Sequence, residues 1–243
     1  MEKIIEVKNV FHLGDQIINF IFFKKIKDYL ESNNIIIHYY CHQQYHKNIV
    51  DFKCSENIKL FNYEEKGYHL WQGTVHNYQF IVTEDRLCIM FNDFLKHYKI
   101  PITIDTFEYE DMNLFERLPY LDKYKDVNVL VINSQPYSRQ YHYDKKSWDE
   151  FIVKLSQKYV VATTEKVNDT ILSLHDVSLK NIASIALHVK IIIAVNTGPS
   201  IPLYNIHILN NIDAFYLFDD CGNVFKTRKI KVMQNINDLS FLL

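Results

Sequence analysis

The chain has 243 residues, 48% of them hydrophobic, 14% aromatic and 23% charged, with a formal net charge of -2. That is ample apolar material for one large α/β domain or two small ones, and its charge balance does not recommend nucleic acid as a partner. No apolar run approaches the roughly 20 residues of a membrane span, the first ten residues lack a signal-type apolar core, and widely spaced Cys41, Cys54, Cys88 and Cys221 read as reduced thiols in a cytoplasmic setting.

Residues 4–11 predict a first strand, followed by the turn His12-Leu13-Gly14-Asp15. From residue 16 to 30, Ile17, Phe20, Ile21, Ile26 and Leu30 recur at helical spacing. Asp15 then falls at the helix N-cap, where a carboxylate accepts bonds from first-turn N–H groups. A strand over 35–41 completes a β-α-β unit, the building block of a parallel sheet. The pattern weakens over 43–82, where short apolar pieces at 58–61 and 78–82 alternate with aromatic-rich connections. A helix is expected over 87–98 and a short strand over 102–104. The charged stretch 105–125 carries no long apolar run and marks a junction between domains 1–120 and 121–243.

A second α/β series follows. Residues 127–132 predict a strand, 133–143 a polar, aromatic loop, and 145–157 a helix presenting Trp148, Phe151, Ile152 and Leu155 on one face. A strand over 159–162 ends in Thr163-Thr164-Glu165. Leu179, Ile182, Ile185, Ala186 and Val189 give one apolar helical face. The β-branched run 191–195 lacks polar alternation, as a strand covered on both faces does. Asn196-Thr197-Gly198-Pro199 turns the chain into another helix, with glycine supplying backbone freedom and proline suited to the first helical turn. Such a strand-to-helix turn is either an ordinary connection or a site for a phosphate-bearing ligand. Two last strands are expected at 214–218 and 229–233. The fold class is therefore α/β, with two Rossmann-like domains facing a cleft.

Few Gly and Pro, with plentiful Ile, Asn, Lys and Tyr, point to an AT-rich coding genome, viral or parasitic. His38, Cys41, His42 and His46 have the chemistry of zinc ligands, but strand alternation separates His38 from Cys41 and no second cluster completes a tetrahedron. They read as a histidine-rich strand end and loop, so no metal site is expected. Tyr137, Tyr141, His142 and Tyr143 are either stacking groups for a base or sugar, or ordinary loop aromatics. The sequence contains no G-x-S-x-G, P-loop or G-x-G-x-x-G, which argues against hydrolase, kinase and dinucleotide-dehydrogenase chemistry.

Three motifs, in order, resemble glycosyltransferase family 9, the heptosyltransferase-like enzymes of the GT-B fold. His12-Leu13-Gly14-Asp15 looks like that family's L-G-D turn. Ser138 through Lys146-Ser147-Trp148 resembles its phosphate loop and K-x-W helix start. Asn196-Thr197-Gly198-Pro199 is similar to its D-T-G-P turn. The likeness covers most of 127–203 and the first 40 or so residues of the other half.

This resemblance implies a metal-independent glycosyltransferase that moves a sugar from a nucleotide-diphosphate donor to a glycan or other acceptor hydroxyl. Its first domain would hold the acceptor and its second the nucleotide sugar, which serves as co-substrate with no further cofactor. Asp15 would be the base that deprotonates the acceptor, or else only a cap for its helix. Lys146 and Ser138 would meet the donor diphosphate, with Arg139 and Lys145 as alternatives in the same loop, and Glu165 the donor ribose. Asn196, Thr197 and Gly198 would bring the turn to the diphosphate. The family's turn begins with Asp where this chain has Asn196, and a His commonly stands where this chain has Ile201. These departures motivate an alternative: a non-catalytic nucleotide- or glycan-binding module on the same scaffold.

Overall fold

The computed structural model describes residues 2–71, 84–107, 111, 113–115, 117–137, 141–220 and 229–243, the side chains of residues 84 and 85 excepted. The expected apolar piece at 78–82 and the candidate residues Ser138 and Arg139 lie outside these. Two compact units divide the chain, Met1–Leu114 and Phe115–Leu243.

In the first unit, β1 (Lys3–Lys8) leads through α1 (Leu13–Lys25) and α2 (Lys27–Ser32) to β2 (Ile35–Cys41). Next come α3 (Gln43–Ile49), β3 (Ile58–Asn62), β4 (Tyr68–His69) and α4 (Glu84–His97). The strands form a parallel sheet in the order β3-β2-β1-β4, with Ile5 opposite Ile37 and Val7 opposite Tyr39. Every residue of α1 from Gln16 to Phe23 is buried, so this helix is apolar nearly all round rather than on one stripe. Phe22 stacks on Phe91 of α4 with centroids 4.1 Å apart, and Phe20 and Phe23 meet the Tyr39 ring edge-on.

The expected helix over 16–30 is two helices, because the chain leaves helical geometry at Ile26 (φ −108°, ψ 9°), which stays buried with Leu30. Residues 102–104 form no strand. Asn92 of α4 takes over the pairing, since its Oδ1 accepts the Ile104 N–H at 2.8 Å and its Nδ2 donates to the Ile104 carbonyl at 2.9 Å. The sequence reading also passed over α3 and the two-residue β4.

In the second unit, β5 (Val129–Ile132), α5 (Lys145–Leu155), β6 (Val161–Thr163) and β7 (Leu172–Ser173) come first. Then follow α6 (Leu179–Ala186), β8 (Ile191–Val195), α7 (Ile206–Asn211), β9 (Ala214–Phe218) and β10 (Ile230–Met233). The strands form a parallel sheet in the order β10-β9-β8-β5-β6-β7. Trp148, Phe151, Ile152 and Leu155 of α5 all pack into the core on one side of it, together with Val129, Val131 and Phe218. Ser178 caps α6 by accepting the Asn181 N–H at 3.3 Å. Beyond Pro199 the chain makes a 3-10 helix, Gly198–Leu203, rather than an α-helix directly. A second proline, Pro202, removes an N–H donor and keeps the segment short.

Both sheets share one topological property. In the first, the chain runs β1 to β2 to β3 on one side and returns to set β4 on the other side of β1. In the second, it runs β5, β6, β7 and returns to set β8 beside β5. The strand order thus reverses at β1/β4 and at β5/β8. At such points the loops leaving neighbouring strand ends diverge and open a crevice for ligands.

Candidate functional site

In the first unit the crevice position belongs to the turn after β1. Asn9 Oδ1 accepts the Phe11 N–H at 2.9 Å, which ends the strand and bends the chain toward α1. Asp15 is the third residue of α1, not its N-cap; that position is His12. The carboxylate nonetheless serves the helix end, accepting the backbone N–H groups of His12 and of Asp15 itself. An acid at the third helical position can reach back in this way, so sequence spacing misassigns the cap without misjudging its chemistry.

Burial pushes the Asp15 carboxyl up to about 7, and the two backbone N–H donors pull in the other direction. Part of the residue still reaches the surface, but the cleft that it lines with Asn9, Ile18, Asn19, Trp71 and Met90 has no room for a water molecule. At neutral pH the group is therefore divided between acid and carboxylate, which suits proton transfer. Above the turn, Phe11 stacks on Trp71 at 3.7 Å between centroids.

Beneath the turn lies a set of polar side chains that sequence reasoning missed as a group. Asn9, Gln16, Asn19 and Tyr39 are each at most 1% exposed. The Tyr39 hydroxyl donates to Gln16 Oε1 at 2.7 Å, and Gln16 Nε2 donates to Asn9 Oδ1 at 3.1 Å and to the Phe11 carbonyl at 3.0 Å. Asn19 Nδ2 donates to the Tyr39 oxygen at 2.9 Å and to the Leu70 carbonyl at 3.0 Å, which Asn9 Nδ2 also reaches at 2.9 Å. The signal available in the sequence was Asn19 standing inside the apolar run 17–23.

In the second unit, Lys146, Glu165 and Asn196–Gly198 come from the segments that follow β5, β6 and β8, three neighbours in the sheet. Asp144 caps α5 by accepting the Lys146 N–H at 3.2 Å, and the Ser147 hydroxyl donates to the same carboxylate and holds its pKa below the usual value. The Lys146 side chain is exposed and has no ion pair among the described residues, whereas Lys145 pairs with Asp149. Lys146 is thus the better-suited of the two to meet an anion.

Glu165 is fixed by Asn133, the residue after β5 and only 2% exposed. Asn133 Oδ1 accepts the Glu165 N–H at 2.8 Å, and Thr164 Oγ1 accepts the Asn133 N–H at 3.1 Å. Tyr143 adds a bond to the Asn133 carbonyl at 2.9 Å. The Glu165 carboxylate meets His175 Nδ1 at 3.3 Å. Neither Asn133 nor His175 stood out in the sequence, because isolated polar residues after a strand are common.

At the turn after β8, Ser200 Oγ accepts the Thr197 N–H at 3.4 Å and donates to the Thr197 carbonyl at 2.8 Å. Asn196 is half-buried, and its N–H donates to the Phe218 carbonyl at 3.0 Å, continuing the β8–β9 ladder. Gly198 does not have a positive φ; among the described residues that conformation belongs to Gly67 (φ 82°) as the only glycine. The backbone of the turn therefore does not itself demand glycine at 198.

The loop aromatics divide. Tyr141 is buried and packs edge-on to Trp148 and against Phe218, while Tyr137 is 84% exposed. His38, Cys41, His42 and His46 form no metal-ligand group, and none is found among the described residues. A groove of ≈ 660 Å³ lies elsewhere on this unit, between the 3-10 turn Asp122–Tyr124 and the start of α6. Its lining mixes Asp122, Lys123 and Asp176 and holds none of the candidate residues. No helix among the described residues is long and apolar enough to cross a membrane.

No protein-family model matches the chain. No curated protein sequence is similar to it. Solved structures are. The E. coli heptosyltransferase WaaC with ADP is similar at a TM-score of 0.51 and 10% identity, over 95% of this chain and 91% of that one. The dodecameric iron-containing glycosyltransferase TibC of enterotoxigenic E. coli H10407 is similar at 0.51 and 12% identity, over 97% of this chain and 64% of that one. TibC in complex with ADP-D-β-D-heptose gives 0.54 and 10%, over 95% of this chain and 63% of that one. The present chain spans less than two thirds of TibC. At these identities the likeness is one of fold: a mixed α/β chain with parallel sheets, built as in the heptosyltransferases.

Proposed function

We propose that the chain is a glycosyltransferase that moves a sugar from a nucleotide-diphosphate donor to an acceptor hydroxyl in glycan biosynthesis. The observation that carries the reading is topological. Asp15 follows β1, the reversal strand of one sheet, while Lys146 and the Asn196–Gly198 segment flank β5/β8, the reversal of the other. Those are the positions at which such sheets bind ligands, on a fold whose neighbours WaaC and TibC were seen with ADP and ADP-heptose.

The 1–120 half would take the acceptor and the 121–243 half the donor. Asp15 as carboxylate accepts the acceptor hydroxyl's proton while that oxygen attacks the anomeric carbon and the diphosphate departs. Negative charge grows on the leaving diphosphate. The Lys146 ammonium offsets it, with Ser138 and Arg139 as further donors from the same loop and the Gly198 N–H at the turn. This assignment needs no metal, because cationic side chains and backbone N–H groups would supply the charge compensation. Glu165 would accept two ribose hydroxyls, its backbone held by Asn133.

The test is transfer or donor hydrolysis across a panel of nucleotide sugars, beginning with ADP-sugars, for the wild type and Asp15→Ala. Transfer lost in the variant supports the assignment; undiminished transfer removes Asp15 from the mechanism. Asn196 and Ile201, where the family carries Asp and His, favour a second reading, a non-catalytic nucleotide- or glycan-binding module. Nucleotide binding without transfer or hydrolysis of any donor would select it.

A further inference from the structure

We infer that the Tyr39 hydroxyl is a positioning group for Asp15, acting through Gln16 and Asn9 on the turn that carries the carboxyl. The inference rests on reading Asp15 as the base, and it adds residues that this reading did not include.

Burying a polar side chain in an apolar unit is costly unless each polar atom finds a partner. Asn9, Gln16, Asn19 and Tyr39 are buried between a phenylalanine-rich helix and a parallel sheet, where Leu or Phe would pack without that cost. Their bonds run in one direction. Asn19 donates to Tyr39, Tyr39 to Gln16 and Gln16 to Asn9. Asn9 in turn accepts the Phe11 N–H, one residue before the His12 N–H that holds the Asp15 carboxylate. Gln16 also ties down the Asn9 and Phe11 carbonyls, at 3.3 and 3.0 Å. The remaining donors, Asn9 Nδ2 and Asn19 Nδ2, converge on the Leu70 carbonyl, which precedes Trp71 on the other wall of the cleft. The network thus ends on the two backbone segments that enclose Asp15.

Tyr39 is the link between Asn19 and the turn, since its hydroxyl accepts from Asn19 Nδ2 and donates to Gln16 Oε1. The groups lining the cleft, Asn9 from the strand end, Ile18 and Asn19 from α1, Trp71 after β4 and Met90 from α4, carry no charge. Among the described residues, Tyr39 and His12 are titratable neighbours of Asp15.

The experiment reads Asp15 directly, by 13Cγ chemical shift against pH, in the wild type, Tyr39→Phe, Gln16→Leu and the double variant. The phenylalanine keeps the ring against Phe20 and Phe23. Loosening the turn admits water, and since burial outweighs the N–H bonds at Asp15, its midpoint should fall by about one pH unit or more. Both single variants should do so, and the double should fall no further than either. Tyr204→Phe, a buried tyrosine of the second unit, should leave the midpoint unchanged. An Asp15 titration unmoved in a folded Tyr39→Phe protein overturns the inference. Should that variant not fold, Gln16→Leu decides it, because it removes the acceptor of the Tyr39 hydroxyl together with the bonds to Asn9 and Phe11, so an unmoved Asp15 titration there overturns the inference. If transfer is detected, the acid limb of kcat/KM should move with the midpoint. Transfer undiminished in Asp15→Ala sinks the base assignment instead, and leaves the titration result standing.

Discussion

Asn133 closes a ring with Glu165: its Oδ1 accepts the Glu165 N–H at 2.8 Å and its Nδ2 donates to the Glu165 carbonyl at 3.2 Å. This side chain does for the ends of β5 and β6 what a further ladder pair would do. Asn133→Leu should cost about 1–3 kcal/mol in urea unfolding, since it strands the Glu165 N–H. Asn133→Asp keeps the acceptor and should cost less. Equal stability of all three proteins would mean that the ring contributes nothing.

Asp15 makes stability depend on pH in a stated window. Its folded pKa of about 7 lies above the ordinary 3.8, so between those values the folded chain binds more protons than the unfolded one. The contribution is complete below the lower value, is lost as pH rises to the upper one, and is flat beyond. Asp15→Asn should remove this slope and be more stable than wild type above pH 7, by up to about 4 kcal/mol. Parallel stability–pH curves for the two proteins from acid to neutral would refute the raised value.

Two glycines separate backbone demand from ligand approach. At Gly67, with φ 82°, an added Cβ would lie 2.6 Å from the Glu6 carbonyl carbon and oxygen, so Gly67→Ala should destabilise by about 1–3 kcal/mol. Gly198 carries no such φ, and Gly198→Ala should change stability by less than about 1 kcal/mol. Any loss of ADP affinity in Gly198→Ala, followed by calorimetry, then reports on crowding of the diphosphate. A large drop in its melting temperature would contradict this assignment.

Lys146→Ala should leave thermal stability unchanged, since the side chain is exposed and unpaired among described residues. Its ADP binding should weaken about two- to fivefold at low salt and less at high salt, as expected of one screened ammonium–phosphate pair. Lys145→Ala, which removes only a surface pair with Asp149, is the comparison. A larger loss at Lys145 would exchange the two roles.

The alternation of strands and helices was legible because the central strands of the second unit are short and apolar; the expected strands at 191–195 and 214–218 coincide with β8 and β9. Amphipathic faces were equally plain, as in the four core residues of α5. What escaped was whatever depends on side chains taking over backbone pairing. Asn92 replaces a strand at residue 104, and Asp15 serves a helix end from its third residue rather than its cap. The four-residue network beneath the Asp15 turn escaped for a related reason. Its members lie up to 30 positions apart and obey no period, so only the folded chain brings them together.

The parallel topology also dictates an order of assembly. When β5, β6 and β7 have left the ribosome, one edge of β5 still lacks a neighbour, and it waits for residues 191–195. No hairpin can close that edge early, because a parallel partner must arrive from a distance. The seam beside which Asn196 and Gly198 stand therefore cannot close until residues 191–195 have emerged. A nascent chain stalled before residue 191 should expose β5 to chaperones and to other chains, and lose that exposure once β8 is added.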